Sequence, residues 1–255
     1  MKAERDAAEL FYESQGSGPP LILIHGGLVD SRSWAEQATL ASQLRIVTPD
    51  TRNFGRSRGP LEGLTIDDLA SDVLAVAADA ELDSFHLLGF SIGGIIAQVV
   101  AQRVPDRVRS LILVSTRAGG FTPPPSKGGM AEVRAHVERA YSESFRAGNA
   151  DFLDGYVAMA QENEARGWDD VRATMSGAPG LEGAAKINCP TLVLHARGDQ
   201  AIPLELGAEL AKAIPNARLE VVEDSGHTMQ VERPELFNKL VLDFIGENDE
   251  LGVEV

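Results

Sequence analysis

In the stretch "LLGFSIGGIIAQ", residues 87–98, one serine stands between glycines, after one apolar run and before another. A serine held on a sharp turn from strand to helix projects its hydroxyl clear of a sheet, on strained backbone where neighbouring side chains would clash. Gly89 and Gly93 remove those clashes around Ser91. If Ile92 opens a helix, its backbone N–H is unpaired and lies at the positive end of the helix dipole, where it can stabilise an oxyanion formed by attack of Ser91. The string G-x-S-x-G is weak by itself in a chain with 25 glycines, so its strand-to-helix context carries the argument.

A serine hydroxyl is a poor nucleophile near neutral pH and needs a base, usually a histidine oriented by a carboxylate. Of His25, His86, His136, His195 and His227, His86 falls within a strand pattern and His136 on a helix pattern, where packing or exposure explains them. His227, in "DSGHTMQVERP", follows the strand-like "ARLEVV" and so stands at the carboxyl edge of a sheet, where open α/β folds place their sites. Asp199, in "HARGDQAIP", follows "TLVLHA" to the same edge. It completes the chain order Ser, Asp, His. Asp224 is closer to His227 in sequence and stays as an alternative acid, although it would have to fold back within one loop.

Those residues need a sheet to hold them. "PLILIHGG", "LRIVTPD", "FHLLGFS", "VRSLILVST", "PTLVLHARGD" and "ARLEVVEDSG" read as strands. Most are separated by helical spacing, as at Ile66, Leu69, Val73 and Val76. Strands that alternate with helices and are apolar on both faces predict a mostly parallel sheet covered on both sides, with "AELFYES" as an antiparallel edge. The alternation breaks over residues 117–186, which predicts a helical cap inserted into a core of residues 1–116 and 187–255. A Pro-rich passage, "FTPPPSKGG", opens this insertion, and three helix-like segments follow. Val133, Val137, Tyr141 and Phe145 recur along the first, Phe152, Tyr156 and Ala160 along the second, and Trp168, Val171 and Met175 along the third. Six aromatic side chains in the insertion imply an apolar surface over the site, and Leu28, Phe90, Tyr141, Phe145, Tyr156 and Trp168 are the candidates for binding substrate.

With these elements in order the chain resembles an α/β-hydrolase-fold enzyme from about Leu21 to Ile245. The resemblance rests on "HGG" at 25–27, "DTRNFGRS" at 50–57, "GFSIGG" at 89–94, "GD" at 198–199 and "GH" at 226–227. It implies a second oxyanion donor after the first long parallel strand, from Gly27 in preference to Leu28, beside the Ile92 N–H. It also implies a structural role for His25 and a loop shaped by Asp50, Arg52 and Ser57. Asn53 stands where the pattern usually has glycine, and Asn tolerates left-handed backbone better than most residues. "DSRSW", "GFSIGG" and "GHTMQVERPE" look most like small intracellular esterases, lactonases and metal-free haloperoxidases or perhydrolases. The implied activity is cleavage of a carboxylic ester or lactone through an acyl-enzyme on Ser91, with no metal or organic cofactor. A perhydrolase with the same triad and a ligand receptor that barely turns over are the alternatives.

Composition narrows the partners. A formal charge of -15 repels nucleic acid phosphates and anionic lipid head groups, so the expected partner is the small ester or lactone that the resemblance implies, with a homo-oligomer also possible. It should also slow the approach of anionic esters, unless the arginines of the insertion, Arg117, Arg134, Arg139, Arg146, Arg166 and Arg172, face inward. The charged start "MKAERDAAEL" lacks the apolar core of a secretory signal, and no apolar run approaches a membrane span, so a cytoplasmic location is expected. Cys189 is the only cysteine, which excludes an internal disulfide and suggests a small buried packing residue.

Overall fold

The computed structural model describes residues 1–123 and 129–249. The centre of the Pro-rich passage, 124–128, and the end of the expected core segment, 250–255, lie outside the described residues. Eight strands form one sheet in the order β1-β2-β4-β3-β5-β6-β7-β8: β1 Lys2–Arg5, β2 Ala8–Gln15, β3 Pro20–Ile24, β4 Arg45–Pro49, β5 Phe85–Phe90, β6 Val108–Val114, β7 Thr191–Ala196 and β8 Ala217–Val222. From β4 through β8 neighbouring strands run parallel, whereas β1 and β2 are antiparallel. The expected mostly parallel sheet is therefore present. Its edge differs: "AELFYES" is antiparallel, as expected, but β1 covers its outer side. Asp6 and Ala7, both at positive φ, make the tight turn between them. The charges that hid β1 from a hydropathy reading suit an outer strand, where they oppose pairing with another chain, and Lys2 bonds across to Glu9 at 2.7 Å.

Successive strand residues point to opposite faces, so each central strand feeds two cores. Leu87 joins Ile22, Ile24 and Leu111 beneath helices α1 (Ile66–Asp79) and α2 (Ile92–Arg103). Leu88 and Phe90 join Leu21, Leu23 and Ile112 on the other face, under the 3-10 segment Ser31–Ser42 and the C-terminal helix. A capping box fixes where α1 starts: the Thr65 side chain accepts from the Asp68 N–H, and Asp68 accepts from the Thr65 N–H. Beyond β7 the chain adds α7 (Leu204–Ala213), then, after β8, α8 (Met229–Glu232) and α9 (Pro234–Asn248). Cys189 is half-buried rather than buried, packed at the margin of the α1/α2 core just before β7.

The inserted helices lie between β6 and β7: α3 (Met130–Ala140), α4 (Glu143–Gly148), α5 (Ala150–Ala173), a 3-10 turn at Thr174–Gly177 and α6 (Leu181–Ala184). Two boundaries differ from the spacing. The first predicted segment breaks at Tyr141, which is extended (φ -112°, ψ 147°), because Ser142 starts a new helix by accepting from the Phe145 N–H. The second and third are one helix kinked at Gly167 (φ 149°), a conformation open only to glycine. Among the described residues no helix is long and apolar enough to cross a membrane.

Candidate active site

β5, β7 and β8 all deliver their carboxyl ends to one edge of the sheet, and each is followed by a residue expected to do chemistry. Ser91, between β5 and α2, adopts φ 54°, ψ -119°, a region that costs a non-glycine residue about 1–3 kcal/mol. The surroundings impose it. The Ser91 N–H donates to the Val114 carbonyl at 2.9 Å, and the Ser91 carbonyl accepts from the Thr116 hydroxyl at 2.6 Å and the Gly94 N–H at 2.9 Å. A Cβ at position 89 would sit 2.4 Å from the Gly93 carbonyl oxygen, and one at position 93 would sit 2.4 Å from the His25 carbonyl oxygen. Side chains are thus excluded on both flanks by backbone, which cannot yield. Ile92 is the first residue of α2, so its N–H has no partner within the helix.

The loop after β8 carries His227. Its Nδ1 lies 2.7 Å from Asp199 Oδ2, and the Asp199 side chain is fully buried. An acceptor there fixes the proton on Nδ1 and leaves Nε2 free to accept. Asp199 Oδ1 accepts from the N–H groups of Ala201 and Ile202, each at 2.8 Å. Burial alone would push this carboxyl up, yet facing His227, with His195 3.4 Å away and hydrogen bonds from His227 and Ile202, it is held well below the usual carboxylate range. The rival acid is elsewhere: Asp224 is an exposed turn residue at φ 52°.

A second serine is also bonded to a histidine. Ser110 Oγ lies 2.8 Å from His86 Nδ1, but both are fully buried inside β6 and β5. No substrate can reach that pair, which ties two strands together. His25 is structural in the same sense: Nδ1 bonds the Gly26 carbonyl oxygen and Nε2 accepts from the Thr51 N–H at 2.9 Å. Asp50 accepts from the N–H groups of Ser31 and Arg56, Ser57 donates to the Asp50 carbonyl at 2.7 Å, and Arg52 grips Asp72 at 2.7 Å. Asn53 takes the left-handed conformation expected of it (φ 62°).

A cavity of about 140 Å³ brings Ser91 and His227 together with Gly27, Leu28, Phe90, Tyr141, Tyr156 and Trp168. Five of the six expected substrate contacts are therefore at its wall. Phe145 is not among them: it lies behind Tyr141, the rings stacked 5.2 Å apart, because the helix break at Tyr141 turns the two away from a shared face. Gly27 lies under Trp168, whose ring would meet a Cβ at 2.3 Å. Burial raises both phenols, Tyr156 to about 12, so neither serves as an acid near neutral pH.

Three wall or anchor residues have no site role in the sequence reading, which leaves His136 to packing or exposure. His136 lines the cavity from α3; burial first, then the nearby His227, Arg139 and Arg172, push it down to about 4, so it is neutral at pH 7. Asn163 of α5 is fully buried and clamps insertion to core, donating to Leu28 O and Asp30 Oδ2 and accepting from the Gly55 N–H. Its place one turn after Ala160, on the apolar stripe, was the available signal. Glu232 accepts from the N–H groups of Gly226 and Ser142, so one carboxylate joins the histidine loop to the insertion. Among the described residues no three His, Cys, Asp or Glu side chains are grouped to hold a metal ion.

The sheet order, the strained serine and the Asp–His pair can be set beside known proteins. A model of the alpha/beta hydrolase family matches residues 21–240. The chain belongs to that family. Among relatives of this α/β hydrolase, a 2-hydroxymuconate semialdehyde hydrolase from Pseudomonas sp. strain CF600 is 32% identical, with 93% of this chain and 90% of the relative covered. The enol-lactonase from Burkholderia xenovorans LB400 superposes with a TM-score of 0.90 at 26% identity, covering 96% of this chain and all of the other. A thermophilic esterase from Thermogutta terrifontis does so with a TM-score of 0.84 at 26% identity, covering 97% and 98%.

Proposed function

We propose that Ser91, His227 and Asp199 carry out hydrolysis of a carboxylic ester or lactone through an acyl-enzyme. Ser91 Oγ attacks the carbonyl carbon while His227 Nε2 takes its proton, and Asp199 stabilises the imidazolium that forms. The N–H groups of Gly27 and Ile92 receive the oxyanion. Collapse breaks the bond to the alkoxy oxygen, which leaves with the proton from His227, and water repeats the sequence to release the acid. The observation that carries this reading is the buried Asp199–His227 contact of 2.7 Å opening onto the same cavity as a strained, glycine-flanked serine. Likeness to an enol-lactonase and an esterase supports esters and lactones as the substrate class. The test is 4-nitrophenyl esters of graded acyl length together with a fluorophosphonate probe. Repeated turnover and probe attached to Ser91 are expected, and a protein that neither turns over nor labels would remove the proposal.

The cavity is smaller than the roughly 300–1,000 Å³ of a drug-sized ligand site, which favours a compact group beside the carbonyl. Tyr156→Ala and Trp168→Ala are expected to shift the best acyl length upward by opening that space. Phe145→Ala is expected to leave the profile alone and to lower the melting temperature, since its ring packs on Tyr141 and Phe152. Profiles of kcat/KM beside thermal melts check this; an unchanged profile in both wall variants would make those residues packing only.

A further inference from the structure

Ser91 also borders a second space, of about 370 Å³, whose wall includes Arg117, Arg139 and Arg172. They converge from three places: the loop after β6, the last turn of α3 and the last turn of α5. In a chain of charge -15 this is an exception, because Glu132 is the only acid among the described residues at the same wall. Nor is it the general habit of the insertion, since Arg134 pairs with Asp154 at 2.7 Å on the surface and Arg166 donates to the Gly55 carbonyl. Arg172 is held rather than waving: its side chain is 15% exposed, its guanidinium lies 5.7 Å from the Trp168 ring, and Asp169 stands 3.6 Å from Nε, beyond hydrogen-bond reach. Arg117 lies over the Phe121 ring at 4.3 Å.

A guanidinium stays charged at any working pH, whereas His136, on the wall of both spaces, is neutral at pH 7 and adds no charge. Three guanidiniums around one opening, with Glu132 at the wall and Asp169 near Arg172, leave an excess of positive charge that suits a planar anion taking two parallel N–H bonds. The wall shared with Ser91 also carries the apolar side chains of Ile95 and Met175. One negative charge is desolvated beside such apolar side chains more readily than the nearly two of a phosphate.

We propose that this arginine-lined arm binds a carboxylate of the substrate, so that the ester or lactone opened at Ser91 also carries a free carboxylate. The inference rests on the ester- and lactone-hydrolase reading and narrows it to anionic substrates. It reverses, locally, the repulsion expected from the total charge.

The test compares two matched pairs: mono-4-nitrophenyl glutarate with its methyl ester, and 4-acetoxybenzoate with its methyl ester, which place the carboxylate on the acyl or the leaving side. In at least one pair the anionic to neutral ratio of kcat/KM is expected to exceed one and to fall as salt rises, because exposed attraction is screened. R139Q/R172Q is expected to lower that ratio roughly tenfold or more, the worth of a charge-assisted hydrogen bond, while R134Q does not. Ratios below one that rise with salt, or a ratio that R139Q/R172Q leaves unmoved, overturn the proposal. Calorimetric titration with glutarate separates it from the reaction itself. If no ester turns over, the hydrolase reading fails alone, and glutarate binding weakened roughly tenfold in R139Q/R172Q still supports the arm. Absence of glutarate binding in that case sinks it.

Discussion

Ser91→Ala is expected to lower turnover of a reactive ester by about four to six orders of magnitude while the melting temperature stays close to that of the parent. Removing Oγ deletes the only atom that bonds covalently to the substrate, whereas the oxyanion donors and the cavity persist and account for the residual rate. The fold should not notice, because the contacts that hold residue 91 are made by its backbone, to Val114, Thr116 and Gly94. Alanine is as strained as serine at φ 54°, so the exchange adds no conformational cost. Ser110→Ala is the informative contrast. It leaves His86 Nδ1 buried without its partner, which costs about 1–3 kcal/mol, so its melting temperature should fall and its turnover should not. A Ser91→Ala protein with most of its activity would end the nucleophile assignment.

Ser91, Asp199 and His227 could be read without coordinates because each follows an apolar run, and parallel strands send all their carboxyl ends to one edge. What the reading missed depends on contacts distant in sequence. β1 has three charged residues around a single alanine and no hydrophobic run, and only its pairing with β2 makes it a strand. The break at Tyr141 follows from Ser142 capping the next helix while Glu232, ninety residues away in the chain, accepts from the Ser142 N–H. Spacing alone kept Phe145 on the face of Tyr141 for the same reason. The arginines show the limit most clearly: net charge is a property of the chain, but Arg117, Arg139 and Arg172 line one space beside Ser91 only because the fold brings together a loop and two helix ends.

Asp199→Asn should cost about four orders of magnitude in kcat, and its cause can be read from the hydrogen bonds. Oδ1 accepts from two backbone N–H groups, of Ala201 and Ile202. An asparagine must therefore keep its carbonyl oxygen there, since turning the amide would set two donors against two donors. Its NH2 then points at His227 Nδ1, where Oδ2 stood at 2.7 Å. His195 reinforces this choice little, because its Nε2 is 2.9 Å from the Ile202 carbonyl and only 3.4 Å from Oδ2. A donor facing Nδ1 forces the proton onto Nε2, and a protonated Nε2 cannot accept from Ser91. The variant folds but holds the wrong tautomer, so fluorophosphonate labelling of Ser91 should slow in parallel with ester turnover. The lowered carboxyl also stabilises the native state above the ordinary carboxylate range, near 3.9, and that stability fades as the pH falls towards its folded value. Melting temperature should therefore depend less on acid pH in Asp199→Asn than in the parent. Asp224→Asn, at an exposed turn, should change neither quantity by more than a few-fold. Loss of turnover in Asp224→Asn with retention in Asp199→Asn would transfer the acid to Asp224 and leave the 2.7 Å contact as a structural bond.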